Sequence, residues 1–323
     1  MQSSVRDWFE QRSYKFDAFA RIGQRLKNAS TTTLVLPTNN VARTIGPILS
    51  RITELRRDSS LVDQIIVADA DSTDGTPDIA RRYGVEVYSE NDLMSHYGKA
   101  KGKGDALWRS LSVAQGDIVM FADTDTTNFA QSFVYGILGP LLTVPGVLFV
   151  KAAYRRPFAT GSTSIDDGGG RVTELTAKPL INFFYPELAG FVQPLAGEFA
   201  AHRNLLSSIP FLTGYGVDIG ILIDTFRSVG LYSMAQVDLG VRENRHQALM
   251  DLNRMSHTIM CAVTHRLNLQ DHYMSDSGIG VTQRHPLTNT YFHAKATNAG
   301  LRLDNYTEDL TERPPMIHVK AQA

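Results

Sequence analysis

Gln64-Ile65-Ile66-Val67-Ala68-Asp69 is too short for a helix, is rich in β-branched residues and ends in an acid. Such a run is expected to be a strand buried on both faces. Working outward, Thr32-Thr33-Leu34-Val35-Leu36-Pro37 is a second strand that stops at a proline. Gly116-Asp117-Ile118-Val119-Met120-Phe121-Ala122-Asp123 is a third, again ending in acid. Helical spacing marks residues 41–57, 76–83 and 105–114, and Val85-Glu86-Val87-Tyr88 alternates as a strand. Strands alternating with helices predict an α/β fold with a doubly wound, mostly parallel sheet. Ligands in such sheets lie beyond the C-terminal strand ends, which here carry Pro37, Asp69 and Asp123.

Outside this block, residues 5–28 read as one amphipathic helix packed on the main domain. Strands are expected at 147–151 and 234–239, and helices at 171–185, 217–229 and 249–267. Residues 158–170, rich in Gly, Ser, Thr and Asp, read as a mobile loop. The division that follows is an N-terminal helix (1–30), a parallel-sheet part (31–150), a mixed part (151–300) and a polar tail (301–323).

The 323 residues are 43% hydrophobic and 20% charged, which allows a sizeable core and argues against disorder. A net charge of −1 argues against nucleic-acid binding by bulk electrostatics, so any basic site must be local. The single cysteine, Cys261, sits among apolar neighbours and reads as a buried thiol. No stretch approaches the roughly 20 apolar residues of a membrane span, and the first residues have no apolar signal core; a cytoplasmic location is expected.

Five groups of residues carry chemistry. Asp123-Thr124-Asp125 follows a strand, and residues i and i+2 of an extended segment point the same way, so two carboxylates converge on one hard cation. Asp69 to Thr76 caps a helix and offers polar groups to a base and ribose, Asp69 foremost. Lys103 is the best placed of three lysines among glycines to neutralise a diphosphate. Arg155 and Arg156, with Gly168-Gly169-Gly170-Arg171-Val172-Thr173 opening a helix, suit a second anion that is not part of the donor. Arg242, Asn244 and His246 follow the strand at 234–239, and His246 is a candidate third metal ligand.

These segments resemble a family. Val35–Asn40, Asp69–Thr76, Gly102–Leu111, Asp123–Asp125, Tyr154–Pro157, Gly168–Leu175, Gln193–Glu198, Gly214–Gly220 and Gln236–Arg242 look like the bacterial glucosyl- and mannosyl-3-phosphoglycerate synthases, retaining glycosyltransferases of the GT-A fold. The resemblance spans residues 30–285. It implies hexose transfer from a nucleotide sugar to 3-phosphoglycerate with retention, a Mg²⁺, Mn²⁺ or Co²⁺ ion, and a homodimer. It places Pro37, Thr38, Asn40, Asp69, Lys103, Asp123, Thr124 and Tyr215 around the nucleotide sugar. Asp125 and Asp123 with His246 would hold the metal, and Arg155, Gly170, Arg171, Thr173 and Asn244 the acceptor; Asp218, Lys103 and Arg242 are the catalytic candidates.

Three positions depart from the family pattern. Asn40-Val41 stands where relatives often have Asn-Glu, Asn244 where they carry the metal-binding histidine, and Asp218 where they carry glutamate. The changes at Asn40-Val41 and Ala70-Asp71 favour GDP-mannose as donor, with tolerance of glucose donors. The alternatives are a glucosyl-3-phosphoglycerate synthase using UDP- or GDP-glucose and a non-catalytic nucleotide-sugar-binding protein. A polyprenyl-phosphate glycosyltransferase would normally need a membrane-facing apolar element, and none is evident.

Overall fold

The computed structural model describes residues 2–21, 30–160, 163–165, 168–243, 248–269, 290–297 and 300–319. In chain order the first half runs α1 (Gln2–Arg12), β1 (Ser13–Lys15), β2 (Thr32–Thr38), α2 (Ala42–Ser59), β3 (Gln64–Asp69), α3 (Thr76–Arg81), β4 (Glu86–Ser89), α4 (Lys103–Ser110), β5 (Ile118–Phe121) and α5 (Gln131–Thr143). The second half runs β6 (Phe149–Arg155), β7 (Phe158–Thr160), β8 (Thr163–Ile165), α6 (Lys178–Phe184), β9 (Phe199–His202), α7 (Arg203–Ser208), β10 (Phe211–Leu212), α8 (Val217–Val229), β11 (Met234–Val241), α9 (Leu249–Leu269), β12 (Thr290–Thr297), β13 (Gly300–Thr307) and β14 (Glu312–Arg313).

An eight-stranded sheet in the order β1-β11-β6-β9-β5-β2-β3-β4 forms the centre. Every residue of β3 is buried, as its unbroken apolar run requires. Period-two alternation divides the core into two layers. Val35, Ile66, Val119, Phe121, Phe149 and Phe199 face one side with Trp108 of α4. Leu34, Leu36, Ile65, Val67, Met120 and Val150 face the other, where α2 sets down Ile45, Ile48, Leu49 and Ile52.

The strands flanking the deciding run are parallel, with Thr38 opposite Asp69 in the β2–β3 ladder. The break in the parallel pattern is β9, which lies antiparallel to both β5 and β6. Its run Phe199-Ala200-Ala201 is short and carries no alternation to announce it. Helix α5 is likewise absent from the periodicity reading; its largely apolar character, with Pro140 inside, masks a face.

Two local readings are corrected. Residues 5–28 are not one helix: α1 stops at Arg12, and Ser13–Lys15 add a parallel edge strand to β11, fixed by the Gln236 Nε2 bond to Ser13 Oγ at 2.9 Å. Residues 22–29 of that stretch lie outside the described residues. The loop expected at 158–170 contains the antiparallel pair β7–β8. The polar tail is also ordered into structure, with β13 paired to β12 and β14 to β10. The helix expected at 171–185 is present, with a wide π turn at Thr173–Ala177, a feature that recurs at functional sites. Cys261 is 7% exposed. Among the described residues, no helix is long and apolar enough to cross a membrane.

Candidate active site

A cavity of about 530 Å³ opens over the strand ends. Its wall follows the sheet order: Glu90 after β4, Ala70 after β3, Pro37 and Thr38 closing β2, Asp123 to Asp125 after β5, Arg156 after β6 and Arg242 after β11. Lys103 enters from α4, Tyr215 from the turn before α8, Asp218 from the first turn of α8, and Gly170 to Thr173 from the opening of the helix that continues as α6. Leu252 and Met255 of α9 add an apolar side.

At the centre is a ladder of alternating charge. Lys103 Nζ lies 2.8 Å from Asp123 Oδ1 and 3.0 Å from Asp218 Oδ2. Arg242 Nη2 lies 3.2 Å from Asp123 Oδ2 and 2.8 Å from Asp125 Oδ1, while its Nε meets Glu198 Oε1 at 2.9 Å. Tyr154 donates to the other Glu198 oxygen at 3.0 Å and stacks beneath the Arg242 guanidinium. Burial works against the charge on Lys103, but Asp123 and Asp218 outweigh it and hold its pKa above the ordinary lysine value. Burial also opposes ionisation of Asp123, yet Lys103 and Arg242 prevail and bring it down to about 2. Burial wins at Asp218, whose carboxyl is raised despite Lys103 and Lys151. Tyr215, pushed up to about 12 first by burial and then by Asp218, stays a neutral donor.

The two aspartates fit a divalent cation. One nitrogen of Arg242 reaches both carboxylates, so a single positive centre can be shared between them. Asp125 is the more accessible, its side chain 54% exposed. Among the described residues no three metal-binding side chains converge; His246 and Asn244 both lie outside the described residues.

The glycine–arginine cluster assembles by close backbone approach. Gly170 adopts φ +67°, which glycine accommodates without strain. The Gly169 amide donates to Arg156 O at 2.8 Å, and a Cβ at residue 169 would press on that carbonyl. The glycines deliver the amides of the following helix to the cavity together with the Arg171 side chain, which lies 5.0 Å from the Phe158 ring.

Three expected residues stand back from the cavity wall. Asp69 is 3% exposed and its carboxylate accepts from Thr38 Oγ1, Ser72 N and Ser72 Oγ at 2.7–2.8 Å, so it shapes the loop beneath Thr38. Asn40, at φ 52°, ties the β2 end to the next loop by accepting from Thr73 N at 3.0 Å. Arg155 is exposed at the end of β6, and by strand alternation it is Arg156 that lines the cavity.

Four contributors are not among the residues expected at the site, although Gly197 and Glu198 fall in the family-like segment Gln193–Glu198. Glu198 buttresses Arg242. Gly197 lies so close under Asp123 that a Cβ would overlap its carboxylate. Lys151, fully buried and lowered to about 8 chiefly by burial, donates to Ala196 O at 2.8 Å and so fixes the segment carrying both. Glu90 closes the far end of the cavity. Acids and glycines flanking a strand are common, and only the chain passing behind Asp123 gives these a purpose.

A GT-A sheet with an Asp-x-Asp turn at its parallel strand ends, facing a lysine and a separate anion cluster, defines a nucleotide-sugar glycosyltransferase. Residues 33–156 match glycosyl transferase family 2. The glucosyl-3-phosphoglycerate synthase of Mycolicibacterium paratuberculosis is 45% identical over 302 residues, covering 91% of this chain and 86% of that protein. The crystal structure of mannosyl-3-phosphoglycerate synthase from Rubrobacter xylanophilus superposes with a TM-score of 0.87 at 54% identity, over 97% of this chain and 99% of that one. Glucosyl-3-phosphoglycerate synthase from Mycobacterium tuberculosis, solved with Mn²⁺, UDP-glucose and phosphoglyceric acid, gives 0.76 at 38% identity over 91% and 93%. The chain belongs to the glycosyl-3-phosphoglycerate synthase family, which holds glucosyl and mannosyl enzymes, and it is a glycosyltransferase.

Proposed function

We propose that the enzyme transfers mannose from GDP-mannose to the hydroxyl of 3-phosphoglycerate with retention, and that it also accepts glucose donors. The observation that carries this reading is the pairing, within one cavity, of the Lys103–Asp123–Asp125–Arg242 cluster with the glycine–arginine helix opening at 170–173. The first suits a sugar diphosphate and the second a phosphorylated carboxylic acid. The 54% identity to the R. xylanophilus mannosyl enzyme favours mannose over the glucosyl alternative.

Asp125 and Asp123 would hold a divalent ion, which supplies charge neutralisation to the departing diphosphate. Lys103 contributes a further fixed positive charge to the same oxygens. The acceptor phosphate and carboxylate are gripped by Arg171, Thr173 and the Gly170 amide, with Arg156 beside them. That grip brings the acceptor hydroxyl beside the anomeric carbon. The hydroxyl oxygen bonds to that carbon on the face from which the diphosphate leaves, the carbon–phosphate-oxygen bond breaks, and the hydroxyl proton passes to the leaving phosphate oxygen. Asp218, whose Oδ1 is buried with no hydrogen-bond partner among the described residues, is placed to orient the sugar.

Product analysis with GDP-mannose, GDP-glucose and UDP-glucose, each with 3-phosphoglycerate, tests the reading. A mannosyl-3-phosphoglycerate product formed fastest is expected; faster glucosyl transfer would replace mannose with glucose. Arg171→Ala is expected to raise the KM for 3-phosphoglycerate about tenfold or more while moving the donor KM less than threefold. Equal effects on both substrates would remove Arg171 from the acceptor site.

A further inference from the structure

We infer that Glu90 determines which base the donor carries, its carboxylate accepting hydrogen bonds from N1–H and the 2-amino group of guanine. The inference rests on the proposed use of a guanine donor and deepens it.

The cavity is an ordered row. Beginning from Asp125 beyond β5, the wall passes β2 and β3 and reaches Glu90 beyond β4, three strand spacings away or about 14 Å. With the diphosphate at Lys103 and Asp125 and the acceptor on the β6 side, the nucleoside must extend toward β3 and β4. An extended nucleoside diphosphate spans that distance, so its base arrives at Glu90. The path is flanked by Pro37, Ala70, Gly102 and Ala106, small or flat surfaces that admit a planar ring.

Glu90 is 7% exposed, yet among the described residues its carboxylate receives no hydrogen bond and no ion pair. Its neighbours are committed elsewhere. The Arg109 guanidinium is taken by Asp105 and by the carbonyls of Glu90, Leu93 and Gly98. Asp69 is closed by Thr38 and Ser72, and Asp71 by Ser89 and Asn91. Asp105 is held by Arg109 and Arg313. Glu90 lines the cavity, so the acceptor capacity its protein neighbours leave unused is open to a ligand. Burial, with Asp105, Asp71 and Asp69 adding and Arg109 opposing, pushes Glu90 up to about 7.

Guanine supplies the missing donors. Its N1–H and 2-amino group form two parallel N–H donors matched to the two oxygens of a carboxylate. Uracil offers a single N–H between two carbonyl oxygens, which a carboxylate repels. The backbone that carries Glu90 is fixed, its amide donating to Asp69 O at 2.9 Å. The carboxylate is thus preorganised for one base and adverse to the other.

The test is calorimetric binding of GDP, IDP and UDP with Mg²⁺ to the full chain and to Glu90→Gln, whose folding is checked by thermal melting. IDP lacks only the 2-amino group. The wild type is expected to bind GDP roughly ten- to a hundredfold more tightly than IDP or UDP. Glu90→Gln should weaken GDP by a similar factor, because its amide nitrogen faces two donors, and leave UDP unchanged or tighter. An unchanged GDP-to-UDP ratio in Glu90→Gln, or equal losses for both, would overturn the assignment. So would equal wild-type affinity for GDP and IDP, which requires no variant. A wild type that prefers UDP to GDP defeats the guanine-donor reading itself, whereas a wild-type GDP preference retained by Glu90→Gln defeats the role of Glu90 alone. If Glu90→Gln fails to fold, Glu90→Asp replaces it: weaker GDP with unaltered UDP supports the assignment, and no change in either opposes it.

Discussion

Asp125→Ala is expected to lower kcat by roughly a thousandfold while leaving the melting temperature nearly unchanged. The side chain of Asp125 is 54% exposed and its described partner is Arg242, so its removal takes little from the fold. It does remove one of the two carboxylates that can share a cation, and it leaves Arg242 with Asp123 and Glu198. The rate loss comes from charge on the departing diphosphate that is no longer neutralised. Initial rates with GDP-mannose, 3-phosphoglycerate and Mg²⁺ give the main reading, and Mn²⁺ binding followed by electron paramagnetic resonance gives a second, independent of turnover. Activity within tenfold of wild type, or undiminished wild-type turnover in a chelating buffer, would eliminate the metal role of this turn.

Gly197→Ala is expected to cost about a hundredfold in kcat/KM through a single methyl group. A Cβ at this position overlaps the Asp123 carboxylate. That carboxylate has no slack, being clamped by Lys103 at 2.8 Å and by Arg242 at 3.2 Å. The segment under it is equally fixed, through the Lys151 bond to Ala196 O and the Glu198 pair with Arg242. Either Asp123 shifts or the segment does, and a displacement near 1 Å at a reacting centre costs on the order of 10²-fold. Overpacking should also take about 1–3 kcal/mol from stability, read as a lower Tm. An unaltered rate with an unaltered Tm would show that Asp123 can move freely without consequence.

Much of this architecture was legible because local pattern and global fold agree. The β-branched run at 64–69 and the helix at 217–229 sit where periodicity put them. One long N-terminal helix is expected because apolar residues at near-helical spacing continue past Arg12, while the edge pairing with β11 that breaks the helix depends on residues more than 200 positions away. The reversed strand β9 escaped for a related reason: a short apolar run fixes neither direction nor neighbour. At the site, Lys103, Asp123, Asp125, Gly170, Arg171, Thr173, Tyr215, Asp218 and Arg242 gather around one cavity. Arg156 rather than Arg155 faces that cavity because strand alternation decides which of two adjacent arginines turns inward. Glu198, Gly197 and Lys151 act from behind the carboxylates; the segment Gln193–Glu198 is family-like in sequence, but a position behind another residue has no counterpart in a linear pattern.

The helix that begins with Lys103 is held from its rear by β14 and the residue after it. Asp105, wholly buried, receives Arg313 Nη2 at 2.6 Å, and Trp108 donates to Pro314 O at 2.8 Å. Residues separated by 208 positions thus share one counterion pair. During synthesis strands β2 to β5 can pair with one another, but Asp105 must wait for Arg313 to clear the ribosome. The helix that carries Lys103 therefore lacks this anchor until residue 313 has been made.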